Sequence, residues 1–146
     1  MSLKERFHEA ITHYKTSLDI SSGDPPGSSQ LTGQTYFNLG NAYFCLLDNK
    51  RAREAYLRAL QTLSTNLDVN FAMANTCLKL KDYPTAIQYF KVVVQLDKTV
   101  KSDKFLKAFE SLGDIYNLIN DMVRAEKVFK KILQYYPENE FALKSL

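Results

Sequence analysis

The stretch NLGNAYF, residues 38–44, places a glycine inside a segment whose other residues favour an α-helix. A glycine within a helix costs about 1 kcal/mol of stability relative to alanine. Gly40 therefore needs a structural reason, and similar stretches elsewhere in the chain suggest one. SLGDIYN, residues 111–117, repeats the pattern with Gly113, and AMANTCL, residues 72–78, repeats it with the small residue Ala74.

The three stretches belong to one longer repeat. Gly40 precedes Ala74 by 34 residues, and Ala74 precedes Gly113 by 39. The same two offsets align five further columns in which residue size is largely kept: Leu39, Met73 and Leu112; Tyr43, Cys77 and Tyr116; Asp48, Asp82 and Asp121; Ala52, Ala86 and Ala125; Tyr56, Phe90 and Phe129. Because many columns match together, the sequence predicts an internal structural repeat.

Each repeat is predicted to form two helices joined by a short polar turn. Apolar residues of the first helix recur at helical spacing, as in Tyr36, Leu39, Ala42, Tyr43 and Leu46. The turns LDNK, LKDY and INDM each contain an aspartate placed to cap the next helix. The small residues, Gly40 and Ala52 in the first repeat, predict a close approach of the two helices. The aromatic residue after them, Tyr56, is predicted to fill space toward the neighbouring repeat.

These residues resemble the tetratricopeptide repeat, a family of 34-residue helical hairpins. Residues 33–66 match its pattern at Tyr36, Leu39, Gly40, Tyr43, Ala52, Tyr56 and Ala59, with Ser64 in place of the closing proline. Residues 106–139 match at Phe109, Leu112, Gly113, Tyr116, Ala125, Phe129 and Pro137. Residues 67–100 match at Ala86 and Phe90 and depart at Asn70, Met73, Ala74 and Cys77. The resemblance implies an all-α, right-handed solenoid of helical hairpins, with about three full repeats and flanking half-repeats.

The chain is interpreted as a single domain, residues 1–146, with partial repeats at both ends. A lone helix is expected at 4–20, a Pro/Gly/Ser-rich loop at 21–32 and the start of a terminal helix at 140–146. We expect a fragment of a longer array, because solenoids normally carry polar terminal caps. The alternative is that the short terminal helices are themselves caps. An interruption near 98–104 adds five residues, for which a solvated bend or a lengthened helix is favoured over a functional insertion.

Composition and motifs disfavour several function classes. The chain is 45% hydrophobic and 24% charged, as in folded proteins, and no apolar run is long enough to span a membrane. Cys45 and Cys77 form no CxxC pair, which indicates reduced, partly buried thiols in an intracellular, cytoplasmic protein. His8 and His13 lie on different helical faces, which argues against a shared metal site. We expect no cofactor, no metal and, in the absence of a catalytic signature, no enzymatic activity.

The resemblance implies that the first helices of the repeats line a concave groove. Helical spacing then selects the residues opposite the internal contacts of each hairpin. The predicted groove residues are Gln34, Phe37, Asn41, Phe44, Phe71, Asn75, Leu78, Lys79, Lys107 and Asp114. Asn41, Asn75 and Asp114 occupy equivalent positions, and an amide both donates to and accepts from a peptide backbone. The alternative is that Phe37, Phe44 and Phe71 pack between repeats as core.

The sequence therefore favours a non-catalytic protein-interaction module that binds a partner peptide or helix in its groove. A structural scaffold that self-assembles as a homo-oligomer through uncapped ends is the alternative. RNA binding is disfavoured, because acidic residues dilute the lysines near the third repeat and the net charge is only +3. Some family members clamp the C-terminal carboxylate of Hsp70 or Hsp90. Asn41 and Lys107 match that clamp, but Phe37, Ala72 and Ser111 do not, so this ligand is not expected.

Overall fold

The computed structural model describes residues 2–21 and 29–145, and within them the chain forms eight α-helices and no β-strand. The all-α class is thereby confirmed. The helices are α1 Leu3–Ser21, α2 Ser29–Cys45, α3 Asn49–Leu60, α4 Leu67–Lys79, α5 Tyr83–Leu96, α6 Asp103–Leu118, α7 Met122–Tyr135 and α8 Glu140–Ser145.

Helices occupy both ends of the segment 21–32, which the sequence assigned to a loop. Ser21 is the last residue of α1, and α2 begins at Ser29, four residues before the predicted repeat boundary. Residues 22–28 lie outside the described residues. The sequence contains no proline between Pro26 and Pro84. No proline ring therefore interrupts a helix that starts between Pro26 and Gly33.

The chain divides into two compact units, Met1–Asp82 and Tyr83–Leu146, which are described separately. In the first unit, α2 packs against α1 and α3, and α3 packs against α4. In the second unit, α6 packs against α5 and α7, and α7 packs against α8. The fully buried side chains of the first unit include Tyr56, Val69, Met73 and Cys77, and those of the second include Phe90, Val93, Phe105, Ile115, Phe129 and Ile132.

An aromatic ring covers each helical glycine of the repeat pattern. A Cβ added to Gly40 would lie 2.6 Å from Cε1 of Tyr56, and one added to Gly113 would lie 2.5 Å from Cε1 of Phe129. Both distances are shorter than a carbon–carbon contact allows. The close approach predicted at the glycines is therefore confirmed. Each ring fills the space over the glycine of its own hairpin. The sequence predicts only that the ring fills space toward the neighbouring repeat.

The turns after α2, α4 and α6 share one backbone conformation. Leu47, Lys81 and Asn120 have φ near 60°, in the left-handed region. The next residue is an aspartate, whose N–H donates to the carbonyl five residues earlier, at 2.9 Å for Asp48, 2.9 Å for Asp82 and 2.8 Å for Asp121. This bond satisfies a carbonyl at the end of the helix.

The predicted aspartate caps are confirmed at two of these turns. The carboxylate of Asp48 accepts from the Arg51 N–H at 3.3 Å, and that of Asp121 accepts from the Arg124 N–H at 3.1 Å. Each bond satisfies one of the free N–H groups at the start of the next helix. Asp82 instead has its carboxylate 3.8 Å from the guanidinium of Arg53 on α3.

The interruption between α5 and α6 is an ordered bend. Asp97 is only 3% exposed, and its carboxylate accepts from the backbone N–H of Ser102 at 3.0 Å and from the Ser102 hydroxyl. Lys98, Thr99 and Val100 between them are exposed. The expectation of a solvated bend near 98–104 agrees with these exposed residues, and the buried Asp97 lies just before it. A buried carboxylate must be hydrogen-bonded, and here those bonds close the bend.

We expect Gly40→Ala to destabilise the chain by roughly 1–3 kcal/mol, because the new methyl group overpacks the contact with Tyr56. The loss should appear in urea unfolding followed by circular dichroism, although alanine is the better helix former. In a Tyr56→Ala background the same change should cost nothing, since the ring is absent. A Gly40→Ala variant as stable as the parent would contradict this account of the glycine.

Candidate partner-binding face

Eight of the ten predicted groove residues lie on two helices of the first unit. Gln34, Phe37, Asn41 and Phe44 are carried by α2, and Phe71, Asn75, Leu78 and Lys79 are carried by α4. The two helices contact each other. Gln34 and Lys79 are exposed and the other six are half-buried. These eight residues form the candidate site for a partner, and we call them the partner-binding face.

The three phenylalanines of this face are neither free surface nor core. Phe37, Phe44 and Phe71 are all half-buried. The ring of Phe37 packs against Tyr56, with the ring centroids 5.8 Å apart and the planes tilted by 45°. Such a pair adds about 0.5–1.5 kcal/mol beyond the area it buries. Phe37 therefore supports the hairpin with one side of its ring and leaves apolar surface available on the other.

The two asparagines of the face differ in which hydrogen-bond donors and acceptors remain available. The Tyr56 hydroxyl donates to Oδ1 of Asn41 at 2.6 Å, which leaves the Asn41 amide N–H groups available as donors. Within the part of the chain that the structure describes, the side chain of Asn75 makes no hydrogen bond. Asn75 therefore presents both a donor and an acceptor, as the backbone of a bound peptide requires.

Tyr56, which the sequence analysis assigned to packing alone, also forms part of the candidate site through its bond to Asn41. Its side chain is 1% exposed, and burial, with a smaller effect of Cys45, raises the pKa of its hydroxyl well above the ordinary value. The hydroxyl thus stays protonated and remains a donor to Asn41. The equivalent residues Phe90 and Phe129 have no hydroxyl. That difference between the repeats was the available signal.

Lys107 and Asp114, the last two predicted residues, lie in the second unit on α6 and are exposed. Glu110 lies between them on the same helical face. Burial and the charge of Asp114 raise the pKa of the Glu110 carboxyl, and the charge of Lys107 lowers it by less. Burial also raises the pKa of Asp114. With two carboxyl groups beside one lysine, this part of α6 is charged, unlike the apolar and amide face of the first unit.

The two thiols occupy different environments. Cys45 is exposed at the end of α2, whereas Cys77 is buried in α4. Burial and the charge of Asp82 raise the pKa of Cys77 to about 11, with Arg53 acting in the opposite direction. Cys77 is therefore a core thiol, and the prediction of partial burial is wrong for Cys45.

The described residues, 2–21 and 29–145, offer neither a metal centre nor a membrane span. No group of three or more His, Cys, Asp and Glu side chains there could hold a metal ion. None of the helices described is both long and apolar enough to cross a membrane.

Comparison with protein families finds two models of the same family. Models described as tetratricopeptide repeat match residues 2–65 and residues 107–139. The first match also covers α1, which lies before residue 33, where the resemblance in the sequence pattern begins. No curated protein sequence matches this chain significantly.

Solved structures with the same fold are numerous. The crystal structure of MamA superposes with a TM-score of 0.76 at 17% identity, covering 99% of this chain and 81% of that one. A tetratricopeptide repeat protein from Parabacteroides merdae gives 0.78 at 18%, covering 97% and 52%. The second repeat domain of human RPAP3, solved in complex with an HSP70 peptide, gives 0.64 at 23%, covering 84% and 95%. At these identities the likeness is one of fold.

We expect one thiol per chain to react quickly with a thiol-specific reagent in the native state, since only Cys45 is exposed. The second should react after unfolding. Cys45→Ser should remove the fast phase, and Cys77→Ser, the matched control, should keep it. Equal native reaction rates for both thiols would contradict the assignment of Cys77 to the core.

We expect an NMR pH series to show the pKa of the Glu110 carboxyl above its ordinary value. Asp114→Asn should lower its pKa and Lys107→Gln should raise it, whereas Asp103→Asn, elsewhere on α6, should leave it unchanged. Because a raised pKa means that the folded state binds the proton more tightly, this carboxyl should favour folding more as the pH falls through its range. No response to Asp114→Asn would refute the coupling.

Proposed function

We propose that this chain, which belongs to the tetratricopeptide repeat family, is a non-catalytic protein-interaction module. Its partner-binding face would bind a segment of another protein. The observation that carries the proposal is the grouping of eight predicted residues on α2 and α4 of one unit, where none is fully buried. Tetratricopeptide repeats stack helical hairpins that present extended surfaces of this kind.

The chemistry of the face suits a peptide backbone flanked by apolar side chains. Asn75 supplies a donor and an acceptor, and Asn41 supplies donors. Phe37, Phe44 and Phe71 lie half-buried near these amides and offer apolar surface to alternate side chains of the ligand. Backbone hydrogen bonds give affinity in such complexes, and the side-chain contacts give specificity.

A similar fold with a bound peptide supports this ligand class. The human RPAP3 domain was solved with an HSP70 peptide. We do not propose a ligand of that kind here, because Phe37, Ala72 and Ser111 stand where the carboxylate clamp needs other side chains. The peptide proposed for this chain is instead recognised by its backbone and apolar residues.

Self-assembly is the second candidate function. Leu118, Ile119, Met122 and Val123 of the second unit are large, apolar and exposed at the turn between α6 and α7. Contiguous apolar patches on a surface favour association. Light scattering over a concentration series distinguishes the two functions, since a chain that is monomeric at high concentration leaves self-assembly without support.

We expect Asn75→Ala to weaken binding of a peptide selected on this chain from a displayed library by about 5- to 30-fold, through loss of two hydrogen bonds. Phe71→Ala should have a similar effect through loss of apolar contact. Affinities would be measured by isothermal titration calorimetry. Gln134→Ala, an exposed amide on α7, is the matched control. Unchanged affinity in both test variants would remove the partner-binding face from the proposal.

A further inference from the structure

A second surface of the first unit lies on α1, α2 and α3 and is distinct from the partner-binding face. Two adjoining cavities, of about 380 and 260 Å³, share the side chains of Lys15, Tyr43 and Arg51. Lys4 also lines the first, and Tyr36 and Arg58 line the second. We call this continuous surface the basic cleft.

The positive charges of the basic cleft are largely uncompensated. Its carboxylates are Asp48, which pairs with Arg51 at 3.3 Å and also caps α3, and Glu54. Among the side chains that the structure describes, which do not include that of Asp19, no carboxylate oxygen lies within 4.0 Å of the cationic groups of Lys4, Lys15 or Arg58. Three cationic groups are therefore available to an anionic ligand, against one unpaired carboxylate.

Two tyrosine rings position the cations along the cleft. The Lys15 ammonium lies 5.9 Å from the ring centroid of Tyr43, and the Arg58 guanidinium lies 5.7 Å from that of Tyr36. A cation–π contact of this kind is worth about 0.5–1 kcal/mol at an exposed site and leaves the N–H donors free to bind a carboxylate. These contacts therefore favour positions of the two cations along the cleft before a ligand arrives.

We propose that the basic cleft binds an acidic segment of a partner protein. Lys15 and Arg58 would receive the carboxylates, since charge-assisted hydrogen bonds of this kind are the stronger class. The apolar side chains of Ile11 and Leu46 in the same cavity would receive an apolar residue of the segment. This interaction goes beyond the proposed function, because it uses different residues and a different ligand chemistry.

The composition of the cleft favours an acidic peptide over a nucleic acid. The carboxylates of Asp48 and Glu54 interrupt the row of positive charge that successive phosphates need. Tyr43 is buried, and the Tyr36 ring faces Arg58, so neither offers an open platform for stacking bases. A peptide can instead place its N–H groups against Glu54 and its carboxylates against the cations.

The test uses the whole chain and a fluorescein-labelled peptide in which leucines are flanked by glutamates. A peptide with glutamine in place of glutamate is the ligand control. Fluorescence anisotropy at low salt should show binding of the acidic peptide. The double variant Lys15→Gln/Arg58→Gln should weaken the affinity about tenfold, whereas Lys15→Arg/Arg58→Lys, which keeps both charges, should retain it. Lys91→Gln/Lys131→Gln, which removes two exposed charges outside the cleft, should weaken binding less than about twofold. Circular dichroism verifies that each variant is folded.

The proposal is overturned if the acidic peptide binds no better than the glutamine peptide, or if both double variants lose affinity equally. It is also overturned if labelled poly(U) binds more tightly than the peptide and competes with it, since the cleft would then be a nucleic-acid site. Phe71→Ala should leave binding of the acidic peptide unchanged, which separates this surface from the partner-binding face.

Discussion

The packing of an aromatic ring on a glycine is the contact on which both units depend. Tyr56 of α3 lies on Gly40 of α2, and Phe129 of α7 lies on Gly113 of α6, so that no Cβ fits between them. Glycine weakens each helix locally by about 1 kcal/mol. A buried aromatic side chain contributes about 1.5–3 kcal/mol, which outweighs that loss and explains why a helix-breaking residue stands within each hairpin.

The same contact links the fold of the first unit to its chemistry. Because Tyr56 is drawn close to Gly40, its hydroxyl reaches Asn41, the next residue on α2. Tyr56 therefore fixes the orientation of an amide on the partner-binding face, while its ring supports Phe37 on the same face. Phe129 covers Gly113 in the same way but carries no hydroxyl, so it has no equivalent effect on Asp114.

Features that recur in every repeat could be predicted from the sequence. Features that depend on one residue, or on partners distant in the chain, could not. The helices, the glycine contacts and the caps at Asp48 and Asp121 follow from periodicity and local chemistry. The left-handed residues Leu47 and Lys81 carry no such signal, since glycine or asparagine is the usual choice there. Asp97 has the sequence context of a surface carboxylate, and its burial follows from the bend that places Ser102 beside it. The basic cleft combines residues from three helices, which no local pattern reveals.

The two surfaces of the first unit arise from different sides of one helix. At about 100° per residue, Asn41 points roughly 140–160° away from Tyr36 and Tyr43 on α2, and Phe44 points roughly 80–100° away. Tyr36 and Tyr43 face basic residues of α3 and α1, whereas Asn41 accepts a hydrogen bond from the neutral Tyr56 hydroxyl. Helix α2 also contacts α4, which carries the neutral amide of Asn75. Charge attraction weakens with salt and apolar contact does not. A ligand of the basic cleft should therefore be released by salt at concentrations that leave a ligand of the partner-binding face bound.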